Sequence, residues 1–237
     1  MLDTILLDNI LFLDIETVPE QPAYESLDSR MAKLWDKKSE RIRQMESDTP
    51  GSLYMRAGIY AEFGKIICIS VGSFRKEEFR IKSFADEDER VLLSNFAQML
   101  TTYFNRQEHL LCAHNGKEFD FPFIARRMLV NGVRIPSILD LSGKKPWEVN
   151  HLDTMELWKF GDFKNYTSLD LLAAIFNIQT PKDDIDGSMV GKVYWEEHDL
   201  KRIISYCCKD VLTVAQIIRR YRGEPLIPDE KVVITDA

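Results

Sequence analysis

Across 237 residues no apolar run approaches the length that spans a bilayer. The opening Met1-Leu2-Asp3-Thr4 lacks the basic start and long apolar stretch of a secretory signal. The expectation is therefore a cytoplasmic protein with no membrane partner. Cysteine is scarce: of four, Cys68 and Cys112 lie in strand-like apolar runs, and Cys207 and Cys208 are adjacent on a helix. No Cys-x-x-Cys pair occurs, which argues against a zinc or redox motif and reads the thiols as buried packing groups. Positive charge is in deficit too, with 31 Lys+Arg against 38 Asp+Glu and a net charge of -7. That argues against a general phosphate-coating surface, but it leaves room for a local basic patch. Internal repeats and low-complexity tracts are absent.

What remains is an ordinary globular composition, long enough for one substantial core, so a single domain over 1–237 is expected. Ile10 to Ile15 is a continuous apolar run, as in a central strand covered on both faces. Strands follow at 64–72 and 78–84, joined by the short polar stretch Arg75-Lys76-Glu77 as a hairpin. An amphipathic helix over 86–104, with acids in its first turn, precedes a strand at 110–113 and a helix at 121–130. A short strand at 151–154, a helix at 168–176 and a long helix at about 199–221 complete the pattern. The stripe Leu200, Ile203, Ile204, Cys207, Val211, Val214 and Ile218 marks the buried face of that last helix. This succession predicts an α/β fold with a mixed β-sheet flanked by helices. Residues 20–56 read as a helical insertion after the first strand, with Met31, Leu34, Trp35, Ile42 and Met45 on one face and Pro50-Gly51 as its break. The tail over 223–237 reads as an extended surface segment.

Four acids in three separate segments carry the chemistry. Asp14 and Glu16, two apart on a strand, point to the same face; alone they read first as a solvated pair at a strand end and only second as half of a cation site. Asp120 follows the strand that delivers His114 and Asn115 and sits before Pro122, so it is a helix N-cap or a site residue. Tyr206 and Asp210, at i and i+4, share a helix face, either as a surface hydrogen bond or as part of a site.

In this order the three motifs resemble the DEDD exonuclease superfamily, whose fold is ribonuclease H-like. Asp14 and Glu16 match its first motif, Asn115 with Phe119-Asp120 its second, and Tyr206-x-x-x-Asp210 its third in the tyrosine (DEDDy) version. The histidine version would place its histidine at position 205, which is Ser205 here. The resemblance is nearest to stand-alone proteins related to the proofreading exonuclease domain of family B DNA polymerases. His151-Leu152-Asp153-Thr154, Ser168-Leu169-Asp170-Leu171 and Lys182-Asp183-Asp184-Ile185-Asp186-Gly187 are supporting matches.

The resemblance implies two divalent metal ions, Mg²⁺ or Mn²⁺, held by Asp14, Glu16, Asp120 and Asp210. It further implies 3'-5' hydrolysis of single-stranded DNA to nucleoside 5'-monophosphates, in repair or editing, with Tyr206 orienting the attacking water. The rival readings are an RNA 3'-end-trimming exonuclease of the same fold and a non-catalytic nucleic-acid- or protein-binding module. Thr17, Asn115 and Phe119 are the candidate contacts to the terminal nucleotide, with Phe121 read as core. Lys117, Arg126, Arg127 and Lys182 are candidate phosphate contacts, each also readable as a solvated surface charge. His109, His114 and His151 read as loop or strand-end residues rather than metal ligands.

Overall fold

β1 (Ile10–Pro19) is the centre of the molecule: Ile10, Leu11, Phe12 and Leu13 are all buried, as a strand covered on both faces requires. The computed structural model describes residues 2–162, 164, 166–179 and 185–235. In chain order, helices α1 (Ser29–Ile42) and α2 (Pro50–Leu53) follow β1. Next come β2 (Gly64–Arg75), β3 (Glu78–Ala85), α3 (Glu89–Tyr103), β4 (Leu110–Ala113) and α4 (Asp120–Val130). Then follow β5 (Leu152–Asp153), α5 (Thr154–Lys159), α6 (Leu169–Ile175), α7 (Val190–Lys192), α8 (Leu200–Tyr221) and β6 (Val232–Thr235). No helix among the described residues is long and apolar enough to cross a membrane.

The six strands form one mixed sheet in the order β5-β4-β1-β2-β3-β6. β2 pairs antiparallel with β1 and β3, while β4 runs parallel to β1 and β5 parallel to β4. The expected hairpin is present, with Lys76 at φ +58° in its turn. The fold class read from the sequence, an α/β mixed sheet flanked by helices, is the one observed.

The two-residue period of β1 divides the core. Leu11, Leu13 and Ile15 pack with Leu92, Leu93 and Phe96 of α3 and with Phe121, Ile124 and Met128 of α4. Ile10 and Phe12 face the other way, against Cys208, Val211, Val214 and Ile218 of α8. Asp14 and Glu16 continue the second set. Helix α8 begins where the Asp199 side chain accepts the Arg202 N–H, and it lies across β1, β2 and β3. Gly72 of β2 permits the close approach, because a Cβ there would press on Phe79 and lie 2.8 Å from a Val211 methyl.

Two segments differ from the sequence expectation. In place of the expected extended surface segment beyond Gly223, Ile227 is buried in the core, a 3-10 turn forms at Asp229–Lys231, and 232–235 add to the sheet as β6, parallel to β3, with Thr235 Oγ1 donating to Ile81 O at 2.9 Å. Between β1 and β2, Trp35 is buried with Leu53, Tyr54, Ala57 and Phe63, and its Nε1 donates to Pro50 O at 2.8 Å. Leu34 and Met45, expected on the same apolar face, are 44% and 63% exposed. Pro50 does not only interrupt helix; it opens α2 behind a Thr49 capping box.

Candidate active site

Strand alternation carries Asp14 and Glu16 to the α8 side of the sheet, where Asp14 is half-buried and Glu16 is 7% exposed. The β1–β2 register slips between Glu16 and Thr17, so the strand is re-aimed directly after the acidic pair. Across the gap, α8 presents Tyr206, Cys207 and Asp210 within little more than one turn. The Cys207 thiol donates to Asp14 Oδ2 at 3.3 Å and to the Asp14 carbonyl at 3.4 Å. One ligand atom from each of Asp14, Glu16 and Cys207 lies within 4.8 Å of the other two.

Asp120 arrives from the opposite helix layer. It is 3% exposed and is the first residue of α4, so the N-cap position falls to Phe119, which makes no side-chain cap bond. The N-cap alternative for Asp120 is thereby excluded. Burial, with the charge of Asp153, raises its carboxyl to about 8, against hydrogen bonds from its own amide and the Ile15 backbone.

Burial likewise lifts Asp14 and Glu16 well above the usual carboxylate range. The charges of Glu16, Asp210 and Asp120 push Asp14 further, and those of Asp210, Cys68 and Asp120 do the same to Glu16. The charges of Asp120 and Asp210 thus reach both acids of β1. Burial, then Asp210, Glu16 and Asp14, also raise Tyr206, whose hydroxyl is hydrogen-bonded with Asp210. The phenol therefore keeps its proton.

The donor set fits hard divalent cations. Buried carboxylates that repel one another are stable as anions only with positive charge between them, and oxygen ligands suit Mg²⁺ or Mn²⁺. A carboxylate oxygen of Glu16 lies within 4.8 Å of a carboxylate oxygen of Asp14, in reach of one such ion.

Asp153 is a site-shaping residue that motif reading ranked only as a supporting match. It is 3% exposed and accepts from Asn115 N (3.0 Å), Lys117 N (3.1 Å), Met155 N (2.9 Å) and Glu156 N (3.2 Å). It thus caps α5 and holds the loop before Asp120, in which Asn115 adopts φ +61°. The signal was its position between a strand and a helical run, a capping context.

The substrate candidates separate by burial. Thr17 and Asn115 are half-buried, as is Phe119, whose ring stacks at a tilt on Phe123 with centroids 5.3 Å apart. Phe121 is fully buried in the core. Lys117 is paired with Glu156 at 2.6 Å, and Arg126 is exposed. Together with Lys144 and Lys159 they line a groove of about 640 Å³ that begins at Asn115 and Asp153.

Arg127 is corrected from a phosphate contact to a buried clamp. It is 4% exposed, pairs with Glu89 at 2.5 Å and Glu20 at 2.9 Å, and donates to Ala61 O at 3.0 Å. Its guanidinium is spent inside the protein. Lys182, Asp183 and Asp184 lie outside the described residues. His114 sits 2.9 Å from both Thr154 Oγ1 and Thr167 O, and His151 bridges Leu111 N and Ile138 O. Both imidazoles are occupied structurally, as is His109 against Arg106.

Among solved structures, the family B DNA polymerase from the hyperthermophilic archaeon Pyrobaculum calidifontis is similar at 17% identity and a TM-score of 0.49. The match covers 87% of this chain and 24% of the polymerase, so the chain spans about a quarter of that relative's length. No curated protein matches. The family model of the RNase_H superfamily matches residues 56–221, from the end of the segment before β2 through α8, and so includes Asp120, Tyr206 and Asp210 while starting after Asp14 and Glu16. With most of its length in that match and a mixed sheet of the corresponding type, the chain belongs to the RNase_H superfamily.

Proposed function

We propose that this protein is a metal-dependent 3'-5' exonuclease of the DEDDy type, acting on single-stranded DNA ends in repair or editing in the cytoplasm. One observation carries the reading: Asp14 and Glu16 of β1 feel the charges of Asp120 and Asp210, which come from two distant segments, beside a phenol that retains its proton. Membership of the RNase_H superfamily supports nuclease chemistry in general. We take residues 1–237 as one domain, with 20–56 as a helical insertion and 223–237 as a C-terminal tail.

Asp14, Glu16, Asp120 and Asp210 would hold two divalent cations. Such ions, when bound, supply Lewis acidity toward a phosphodiester and activate water. The chain's own groups do the rest. Tyr206 keeps the proton on its hydroxyl and orients the attacking water by hydrogen bond rather than removing a proton from it. Thr17 and Asn115 contact the terminal nucleotide, and Phe119 packs against its base. Cations along the groove, Lys117, Arg126, Lys144 and Lys159, face the phosphates of the strand behind it.

The test is a product ladder from 5'-labelled DNA and RNA single strands with Mg²⁺, Mn²⁺ or chelator. The reading expects stepwise shortening of DNA, release of nucleoside 5'-monophosphates and complete loss with chelator. Shortening of RNA alone would transfer the assignment to RNA trimming. Degradation of neither strand would leave the binding-module reading.

A further inference from the structure

Four aromatic side chains stand exposed among the described residues, and three of them, Trp147, Phe160 and Tyr166, lie in one stretch of the chain. A single exposed ring is ordinary, but three together mark a surface that meets a partner. None of the three belongs to the acidic motifs. All stand beside the groove that begins at Asn115 and Asp153. Trp147 follows Pro146 of its lining, and Phe160 follows Lys159 of the same lining. The Lys159 ammonium in turn lies 4.6 Å from the centre of the Tyr166 ring.

The backbone fixes the first two rings. Trp147 sits in a 3-10 turn (Pro146–Glu148) closed by the Lys145 N–H, which donates to Glu148 Oε2 at 2.7 Å. Phe160 follows α5 in the left-handed region at φ +43°, and Gly161 comes next at φ +92°. That conformation is disfavoured for a residue with a side chain, yet the ring is 90% exposed. Neither packing nor backbone preference accounts for a phenylalanine there.

The lysines identify the partner. Lys145 Nζ lies 5.3 Å from the centre of the Trp147 ring, and Lys144 and Lys159 line the groove. The cores of protein–protein interfaces are depleted of lysine. Aromatic rings interleaved with cations match an unpaired nucleic-acid strand, which offers base faces to the rings and phosphates to the ammonium groups.

We propose that Trp147, Phe160 and Tyr166 form a base-stacking rim for a single-stranded nucleic acid lying along the groove, with Lys144, Lys145 and Lys159 at its phosphates. Stacking needs bases free of a complementary strand, so the rim favours single strands over duplex and tolerates any base sequence. That this strand leads to a scissile 3' end rests on the proposed function; the stacking does not.

The experiment titrates full-length protein, in chelator so that no strand is cut, with a labelled oligodeoxythymidine single strand. Affinity is read from the anisotropy of the label and contact from tryptophan fluorescence. Of the four tryptophans, Trp35 is buried, Trp158 and Trp195 are half-buried, and Trp147 alone is exposed. Binding should therefore quench the emission, and the quench should vanish in Trp147→Ala. Trp147→Ala, Phe160→Ala and Tyr166→Ala should each weaken single-strand binding about five- to a hundredfold, the loss of one stacked base. Trp147→Phe and Tyr166→Phe should retain most of the affinity. Tyr103→Ala, at the fourth exposed ring, should leave it unchanged. Duplex binding should not respond to any of these substitutions, and every variant should keep the wild-type melting temperature, since the side chains are exposed.

Single-strand affinity unchanged in the alanine variants, an equal loss on duplex, or strand binding that leaves Trp147 emission unchanged overturns the proposal. So does a wild type that binds no single strand, which would assign the rings to a protein partner. Weakened binding in the alanine variants of a protein that degrades no strand with Mn²⁺ would refute the exonuclease reading alone. A stepwise ladder together with undiminished affinity in those variants would refute the rim alone.

Discussion

Arg127 of α4 grips Glu89 of α3 through both carboxylate oxygens, at 2.5 to 3.2 Å, in the layer opposite α8. Glu89 also accepts the Ile66 N–H of β2 at 2.7 Å and the Asn131 side-chain amide at 2.8 Å. The cluster therefore ties two helices to the strand next to β1. Removing one partner of a buried pair leaves the other charge uncompensated, at a cost of about 3–5 kcal/mol. Arg127→Met should lower the melting temperature sharply, and the neighbouring exposed Arg126→Ala should barely move it. Equal melting temperatures for the two variants would show that the clamp contributes nothing.

Asp153 accepts four backbone N–H groups, so Asp153→Ala removes all four bonds in a single step. Each buried donor left without a partner costs about 1–3 kcal/mol. The variant is expected to melt earlier and to exchange the Asn115 and Lys117 amides faster. Amide exchange at these positions equal to wild type would contradict the role assigned to Asp153.

The pH dependence of stability has a defined sign. An aspartate in the unfolded chain ionises near 4, while Asp120 in the fold is raised to about 8. Between these values the folded state binds more protons than the unfolded one, so stability falls as pH rises. Asp14 and Glu16, raised for the same reason, act in the same direction. In chelator, the melting temperature should decline from about pH 5 to about 8, with a shallower decline in Asp120→Asn. Adding Mn²⁺ should reverse most of the loss at the alkaline end. A flat metal-free profile would mean that the carboxylates are not held together.

Tyr206→Phe keeps the ring and removes the hydroxyl that is bonded with Asp210. A water-orienting role predicts a fall in kcat of about ten- to a hundredfold with little change in KM. The pH dependence of the rate should be the same in both proteins, because burial and the neighbouring acids hold the phenol protonated. A rate unchanged by the substitution would remove Tyr206 from the mechanism.

Strand alternation is a rule of backbone geometry, which made Asp14 and Glu16 legible as a same-face pair before any tertiary information. The long apolar stripe of α8 was legible for the same reason, since its period is that of a helix. β6 was not read as a strand, although 232–235 are all β-branched, because four residues after a Pro-containing loop give too short a pattern. Arg127 was misread because a cation is normally exposed. Its spacing of four and three from Phe123 and Ile124, both buried, was the available clue. Cys207 counted as core on its helix stripe, and it is buried as such; its contact with Asp14 joins residues 193 apart, beyond the reach of local periodicity. The groove beside Asn115 is likewise a product of the packing of α4 against the 131–149 segment and α5.

The central claim is that Asp14 and its three acidic companions support metal-dependent removal of nucleotides from a 3' end. The most direct test follows a 5'-labelled single-stranded DNA with Mn²⁺, comparing wild type with a folded Asp14→Asn variant. The account predicts a ladder that shortens one nucleotide at a time in the wild type and an intact strand with the variant. A ladder of undiminished rate from Asp14→Asn, or an intact strand with both proteins, would contradict it.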